Sequence, residues 1–204
     1  MKYNIKSALW LCLIIFIIFL LQKLIPGFTD FFILDARLVD IRIWTLLTAV
    51  FLHSGMAHLL YNLFALALFG SILEHIIGSK KFMILFFIAG LAASLASLPF
   101  YNKVLGASGA IFGILGMLGI LRPKLIVWLH YIPMPMIVAL FVWAVGDIIG
   151  IYAPSGTANI AHLGGLAVGI AAGFCYYKQF REIKPKKEKV YIDEDKVKEW
   201  EKSF

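Results

Sequence analysis

Six stretches of this chain are apolar over most of the length needed to cross a bilayer, and that removes nearly every water-soluble fold. A hydrocarbon core about 30 Å thick takes roughly 20 helical residues, and a helix satisfies its own backbone hydrogen bonds there. The stretches cover residues 7–25, 55–76, 81–98, 107–121, 135–152 and 159–177. The whole chain is 61% hydrophobic and only 15% charged, against about 25% charged in a soluble domain. The expected fold is therefore an all-α integral membrane protein, a six-transmembrane-helix bundle over residues 1–177, followed by a charged tail over 178–204. The N-terminal run lacks a small-residue cleavage site and continues to Ile25, so it reads as a span and not as a signal peptide. The fourth run is short, between Lys103 and Arg122-Pro123-Lys124. It can start below the membrane surface if the loop before it dips inward and is buried in protein.

The net charge of +7 could suggest nucleic acid, but the basic residues collect at span ends and in the tail, where topology explains them. An inside N-terminus puts Lys2, Lys6, Lys80, Lys81, Arg122, Lys124 and the tail on one side, leaving Lys23, Arg37, Arg42 and Lys103 on the other. Both termini are thus expected in the cytoplasm, with the spans in the cell membrane. No nucleic-acid partner is implied. Cys12 and Cys175 fall near the inner ends of the first and last spans and are expected to be free thiols, too few for a metal site. Residues 26–54 mix Phe28, Phe31, Phe32 and Trp44 with charges, which suits a structured loop lying partly in the outer interface. The 150–158 loop carries Gly150, Pro154 and Gly156 and is expected to be mobile. There is no internal repeat.

Polar groups in such spans are costly and tend to be paired and functional. With the N-terminus inside, spans two, four and six run from outside to inside. His58 and Asn62 lie near the start of span two, Ser108 at the start of span four and His162 near the start of span six. All four then share one depth in the outer part of the membrane. His58 and Asn62 are four apart, on one helix face, and Phe112 projects beside Ser108 in the same way. Gly106, Gly109, Gly113 and Gly116 in span four, and Ala161, Gly165, Gly169 and Gly173 in span six, recur at helical spacing. Small residues so placed let helix backbones approach closely in lipid. Taken singly, the serine could bond its own helix, His162 could be a buried hydrogen-bonded histidine, and His58 with Asn62 could be interhelical glue. Together, at one depth, a hydroxyl and an imidazole are the parts of an acyl-transfer site.

These residues resemble the motifs of the rhomboid intramembrane serine proteases, over roughly residues 42–177. Gly106-Ala107-Ser108-Gly109 is similar to that family's Gly-x-Ser-Gly nucleophile motif, His58-Leu-Leu-Tyr-Asn62 to its His-x-x-x-Asn motif, and Ala161-His162-Leu-Gly-Gly165 to its histidine motif. Two departures stand out. The family often has Trp-Arg in the first loop, where Trp44 is followed here by Thr45 and the nearest arginine is Arg42. It often has Tyr where Phe112 stands.

The resemblance implies a Ser108–His162 dyad, with His162 as general base and then general acid, acting without cofactor or metal. Phe112 is expected to stack on the imidazole. The Ser108 backbone N–H, His58 and Asn62 would form the oxyanion site, and His53 would assist with water or packing. No carboxylate is expected to complete a triad: Asp147 reads as interfacial and Glu74 as a structural polar contact. The implied substrates are other membrane proteins, cut near the outer end of a transmembrane segment that reaches the site beside span five. Two other classes compete. A non-catalytic membrane chaperone or scaffold would have lost the serine or the histidine, and a small transporter would want inverted repeats and midplane broken helices. The sequence carries no sign of oligomeric state.

Overall fold

The computed structural model describes residues 7–129, 131–153 and 156–180. The expected charged tail therefore lies, from residue 181 onward, outside the described residues. Helix α1 (Ser7–Leu24) is followed by the short α2 (Phe28–Phe32), α3 (Thr45–Thr48), then α4 (Met56–Ala65) and α5 (Ser71–Ile77). A π turn over Leu66–Gly70 joins α4 to α5, so they make one span, Met56–Ile77. Helices α6 (Ser79–Ser97), α7 (Ser108–Leu121), α8 (Met136–Tyr152) and α9 (Asn159–Phe180) complete the bundle. Four of these spans are long and apolar enough to cross a membrane, while α7 and α8 are shorter apolar helices. The expected ranges are met to within about three residues, because each run ends at a charge, a proline or a glycine that stops a helix.

The faces divide as a lipid-solvated bundle requires. Along α1, Ala8, Leu11, Ile15 and Phe19 are buried at three- and four-residue spacing, whereas Trp10, Ile14, Ile17 and Leu20 are exposed. A large exposed apolar belt would be a liability in water; here it is the surface that meets lipid tails. The molecule is a multi-pass helical membrane protein.

The tightest packing joins α6, α7 and α9. A Cβ added to Gly165 would lie 1.9 Å from the Gly109 carbonyl oxygen, and one on Gly169 would lie 1.9 Å from that of Gly113. Behind them, a Cβ on Gly109 or Gly113 would lie 2.3 Å from Ala93 or Ala89 of α6. The small-residue faces of spans four and six therefore meet, as expected, and α6 supplies a third small face that sequence spacing did not reveal. In lipid, where burial brings no hydrophobic gain, such backbone contact is a main source of helix association.

Polar pins fix the remaining elements. The Glu74 carboxylate accepts the backbone N–H groups of Ser7 (3.0 Å) and Ala8 (2.9 Å) and the Ser79 hydroxyl. A carboxylate at the N-terminus of α1 suits both the unpaired N–H groups and the helix dipole. At the other end of α1, Gln22 accepts the His53 N–H (2.9 Å) and donates to the His53 carbonyl (3.2 Å). The first loop is structured, as expected. Its strand β1 (Leu34–Asp35) pairs antiparallel with β2 (Lys103–Val104), just before α7. The Arg37 guanidinium, hydrogen-bonded to Asp35, holds that carboxyl down at about 2. Arg42 donates to the Asp30 carbonyl (2.9 Å) and lies over the Phe31 ring, which stacks on Trp44. Between α7 and α8, β3 (Ile126–Leu129) and β4 (Ile132–Pro135) form an antiparallel hairpin. Both cysteines are free.

Candidate active site

The chain turns into α7 at Gly106, whose φ of +120° is a region that side chains disfavour. A Cβ there would also lie 2.8 Å from Cε1 and Nε2 of His58, so glycine is required twice over. Its N–H donates to the Ala49 carbonyl (2.9 Å). Ala107 precedes the helix without a side-chain cap, which leaves the N–H groups of the first turn, that of Ser108 included, without intrahelical partners.

Ser108 and His162 meet. The serine Oγ lies 2.8 Å from His162 Nε2, a hydrogen bond of ordinary length. The imidazole stacks on Phe112, with centroids 4.3 Å apart and planes inclined by 11°. The ring is buried and Ser108 half-buried. Gly109, next to Ser108, and Gly165, about one turn beyond His162, allow the approach, since their backbones touch.

The expectation that no carboxylate reaches the site is corrected here. His162 Nδ1 lies 2.9 Å from Asp147 Oδ1, and Asp147 is 7% exposed, not interfacial. The reason is antiparallel geometry. Asp147 lies five residues before the end of α8 and His162 three residues after the start of α9, about 7.5 and 4.5 Å along the axes at 1.5 Å per residue. The two positions therefore come nearly level across a short connection. Counting residues inward from both ends of that connection would have found the pair; judging Asp147 alone as a near-terminal carboxylate did not. Glu74 is the structural contact expected of it, in the role of pinning α1.

The span-two residues flank this group. The His58 ring packs against Gly106, and its Nδ1 lies 3.0 Å from Ser54 Oγ. Buried Asn62 donates one amide hydrogen to the His58 carbonyl (2.8 Å), which leaves its second for a ligand. His53 is 2% exposed, stands edge-on to His58 at 5.0 Å, and neither of its ring nitrogens has a hydrogen-bond partner among the described residues. Burial, helped by the neighbouring His58, pushes its pKa down to about 4. Gln22, absent from the sequence reading, is what holds His53 in place.

A cavity of about 1090 Å³ adjoins the pair. His58, Ser108 and His162 line one end and residues 125–129 of the hairpin line another part. Tyr61, Phe64, Leu68 and Phe69 form a wall from span two, and Trp143 faces them from α8. Phe69 and Trp143 meet edge to face at 6.2 Å. The lining is mainly apolar, with a few polar groups gathered where a reacting bond would have to sit.

Several known proteins are similar to this chain in sequence. The chain is 36% identical over 133 residues to RHOMBOID-like protein 4 of Arabidopsis thaliana, 64% of this chain and 33% of that protein. It is 47% identical over 77 residues to Rhomboid protease GluP of Bacillus subtilis, 37% of this chain and 15% of that protein. It is 30% identical over 166 residues to Rhomboid-like protease 3 of Toxoplasma gondii, 79% of this chain and 58% of that protein. The chain thus spans less than two thirds of the length of each of these relatives. A family profile, the Rhomboid domain, matches residues 40–179. That match runs from the first loop to the end of α9 and takes in all the glycine, serine and histidine positions just described, so the chain belongs to the rhomboid family.

Proposed function

We propose that this protein is an intramembrane serine endopeptidase that cuts transmembrane segments of other membrane proteins. The observation that carries the reading is the 2.8 Å contact between Ser108 Oγ and His162 Nε2, made at the end of an apolar cavity. In the proposed reaction the Ser108 oxygen attacks the scissile carbonyl carbon while its proton passes to Nε2. Negative charge gathers on the former carbonyl oxygen, which the free Ser108 N–H, His58 and Asn62 would stabilise. The C–N bond then breaks as Nε2–H protonates the leaving amine. Water attacks the acyl-serine, giving one proton to His162, and the ester bond breaks with return of that proton to Ser108.

The substrate class is supported by the walls. A cavity lined by Phe64, Leu68, Phe69 and Trp143 suits apolar side chains, and a helix in the bilayer would reach Ser108 beside α8 by parting the Phe69–Trp143 contact. Such a helix must unwind locally to offer its peptide bond. The Lys and Arg bias supports both termini in the cytoplasm and the site toward the outer face of the cell membrane. The test is a reconstituted cleavage assay with a transmembrane peptide, alongside labelling by a serine-directed fluorophosphonate. Wild type should cleave and be labelled at residue 108, and Ser108→Ala should do neither while keeping the wild-type thermal midpoint. Undiminished cleavage by purified Ser108→Ala would overturn the reading.

A further inference from the structure

We propose that Lys103 recognises an acidic residue of the substrate, in the flank just outside the membrane segment that is cut. The proposal rests on the reading of Ser108 and His162 given above and adds a substrate feature to it. Its observation is one of charge. Among the described residues that line the cavity beside Ser108, Lys103 is the single Asp, Glu, Lys or Arg. Every other polar side chain there carries a hydroxyl, an amide, an imidazole or an indole.

The chain sets where that charge stands. Lys103 opens the short strand β2 and precedes Ser108 by five residues. At about 3.3 Å per extended residue the two backbones are at most about 17 Å apart, and the turn at Gly106 shortens that span. A substrate lying extended along residues 103–108 would set the residue that faces Lys103 about three to six positions from the bond that faces Ser108. With the N-terminus inside, that flank is the outer one. Lys and Arg of membrane proteins collect on the inner side, so an ammonium at the outer mouth meets few like charges on an incoming segment.

A plain salt bridge to Asp30 is the competing role, and the geometry argues against it. Lys103 Nζ lies 3.5 Å from Asp30 Oδ1, and the two side chains are 47% and 78% exposed. A charge-assisted hydrogen bond is shorter, about 2.7–2.9 Å, and an exposed ion pair contributes little. Asp35, opposite Lys103 on β1, is taken by two hydrogen bonds from the Arg37 side chain. Arg37 is thereby committed as well, and Arg42 is held by the Asp30 carbonyl and the Phe31 ring. Lys103 therefore presents an ammonium with three donors and one loose partner. A substrate carboxylate would displace Asp30 at small cost and meet the ammonium beside apolar walls, where attraction between charges exceeds that in open water.

The experiment gives the reconstituted protein a mixture of two transmembrane peptides, alike except for Glu or Gln at one flank position, and moves that position over about two to seven residues from the cut. Because the peptides compete for one enzyme, the ratio of their cleavage rates is the ratio of kcat/KM and does not depend on the folded fraction. At its best position wild type should prefer Glu over Gln by about fivefold at low salt, and the ratio should fall toward unity in about 1 M salt, where charges are screened within about 3 Å. Lys103→Gln should abolish the preference and Lys103→Glu should invert it in favour of a Lys peptide. Asp30→Asn removes the internal competitor and should raise the ratio. The wild-type salt series and Asp30→Asn keep Lys103 in place, so they decide the matter even if the Lys103 variants do not fold. Equal cleavage of the Glu and Gln peptides by wild type at every position would overturn the proposal. So would a preference unmoved by salt, one no higher in Asp30→Asn, or one that persists in Lys103→Gln. Those results would leave Ser108-dependent cleavage standing, whereas cleavage surviving in Ser108→Ala would refute the parent reading.

Discussion

Gly169→Ala should slow the proposed protease from a position about two turns away from the serine–histidine pair. The new Cβ would be placed 1.9 Å from the Gly113 carbonyl oxygen, where ordinary contact begins at 3.4 Å, so α9 must retreat from α7 by about 1.5 Å. Gly169 lies seven residues beyond His162, about two turns along the same helix. If α9 moves as a rigid rod, the Ser108–His162 separation grows from 2.8 Å to about 4.3 Å and the hydrogen bond is lost. If α9 pivots so that a third of the shift arrives, the bond lengthens to about 3.3 Å and survives, weakened. A misplacement of about 1 Å can cost roughly 10²-fold in rate, so a loss of one to two orders of magnitude in kcat is expected. Overpacking of this kind also costs about 1–3 kcal/mol of stability. The matched control is Gly146→Ala in α8, where no heavy atom lies within 4 Å of the added carbon. Both variants would be purified in detergent, compared for thermal midpoint, and assayed on one transmembrane peptide at saturation. Wild-type turnover in Gly169→Ala, with an unchanged midpoint, would show that the helices are not in backbone contact as described.

Three further outcomes are expected. Asn62→Ala and His58→Ala should each lower kcat with little change in KM, by less than the 10²–10³-fold typical of a lost oxyanion donor, because the Ser108 N–H remains; normal single-turnover rates in both would make these residues packing groups. His53, with its pKa lowered to about 4 in the fold from an ordinary 6.5, binds a proton more readily when unfolded, so its contribution to stability is complete above pH 6.5 and lost as pH falls toward 4. That loss amounts to about 3 kcal/mol, and His53→Leu should flatten the difference in thermal midpoint between pH 7.5 and pH 4.5, a slope equal to wild type counting against it. Glu74→Gln should lower the thermal midpoint by weakening three hydrogen bonds to one charge, each worth about 1.5–3 kcal/mol when charged, while turnover per folded molecule stays unchanged; an unaltered midpoint would refute the pinning of α1.

Much of the bundle was legible because the bilayer forces each span into one long apolar run, and charges or helix breakers mark the ends. Ser108, His58, Asn62 and His162 stood out because polar side chains are rare in such runs. The small-residue faces were visible as a four-residue period, although nothing in that period says that Ala89 and Ala93 complete them. Asp147 was misread because depth was judged from its own helix end, and its partner lies across a turn. The β3–β4 hairpin escaped notice because Ile126–Leu129 is apolar without alternation, and four such residues do not distinguish strand from helix. Gln22 was hidden by its place near the end of a span, where a polar residue needs no explanation.

The two supports of His162 are carried very differently. Phe112 rides on α7, locked by backbone contact to α9. Asp147 rides on α8, where only Met136, Ala139, Leu140 and Asp147 are buried out of seventeen residues, and where Trp143 meets Phe69 of span two edge to face. Under the proposed function, a substrate helix arriving between span two and α8 would press on the element that carries Asp147. Outward displacement of α8 would lengthen the contact between His162 and Asp147 while leaving the Phe112 stack in place.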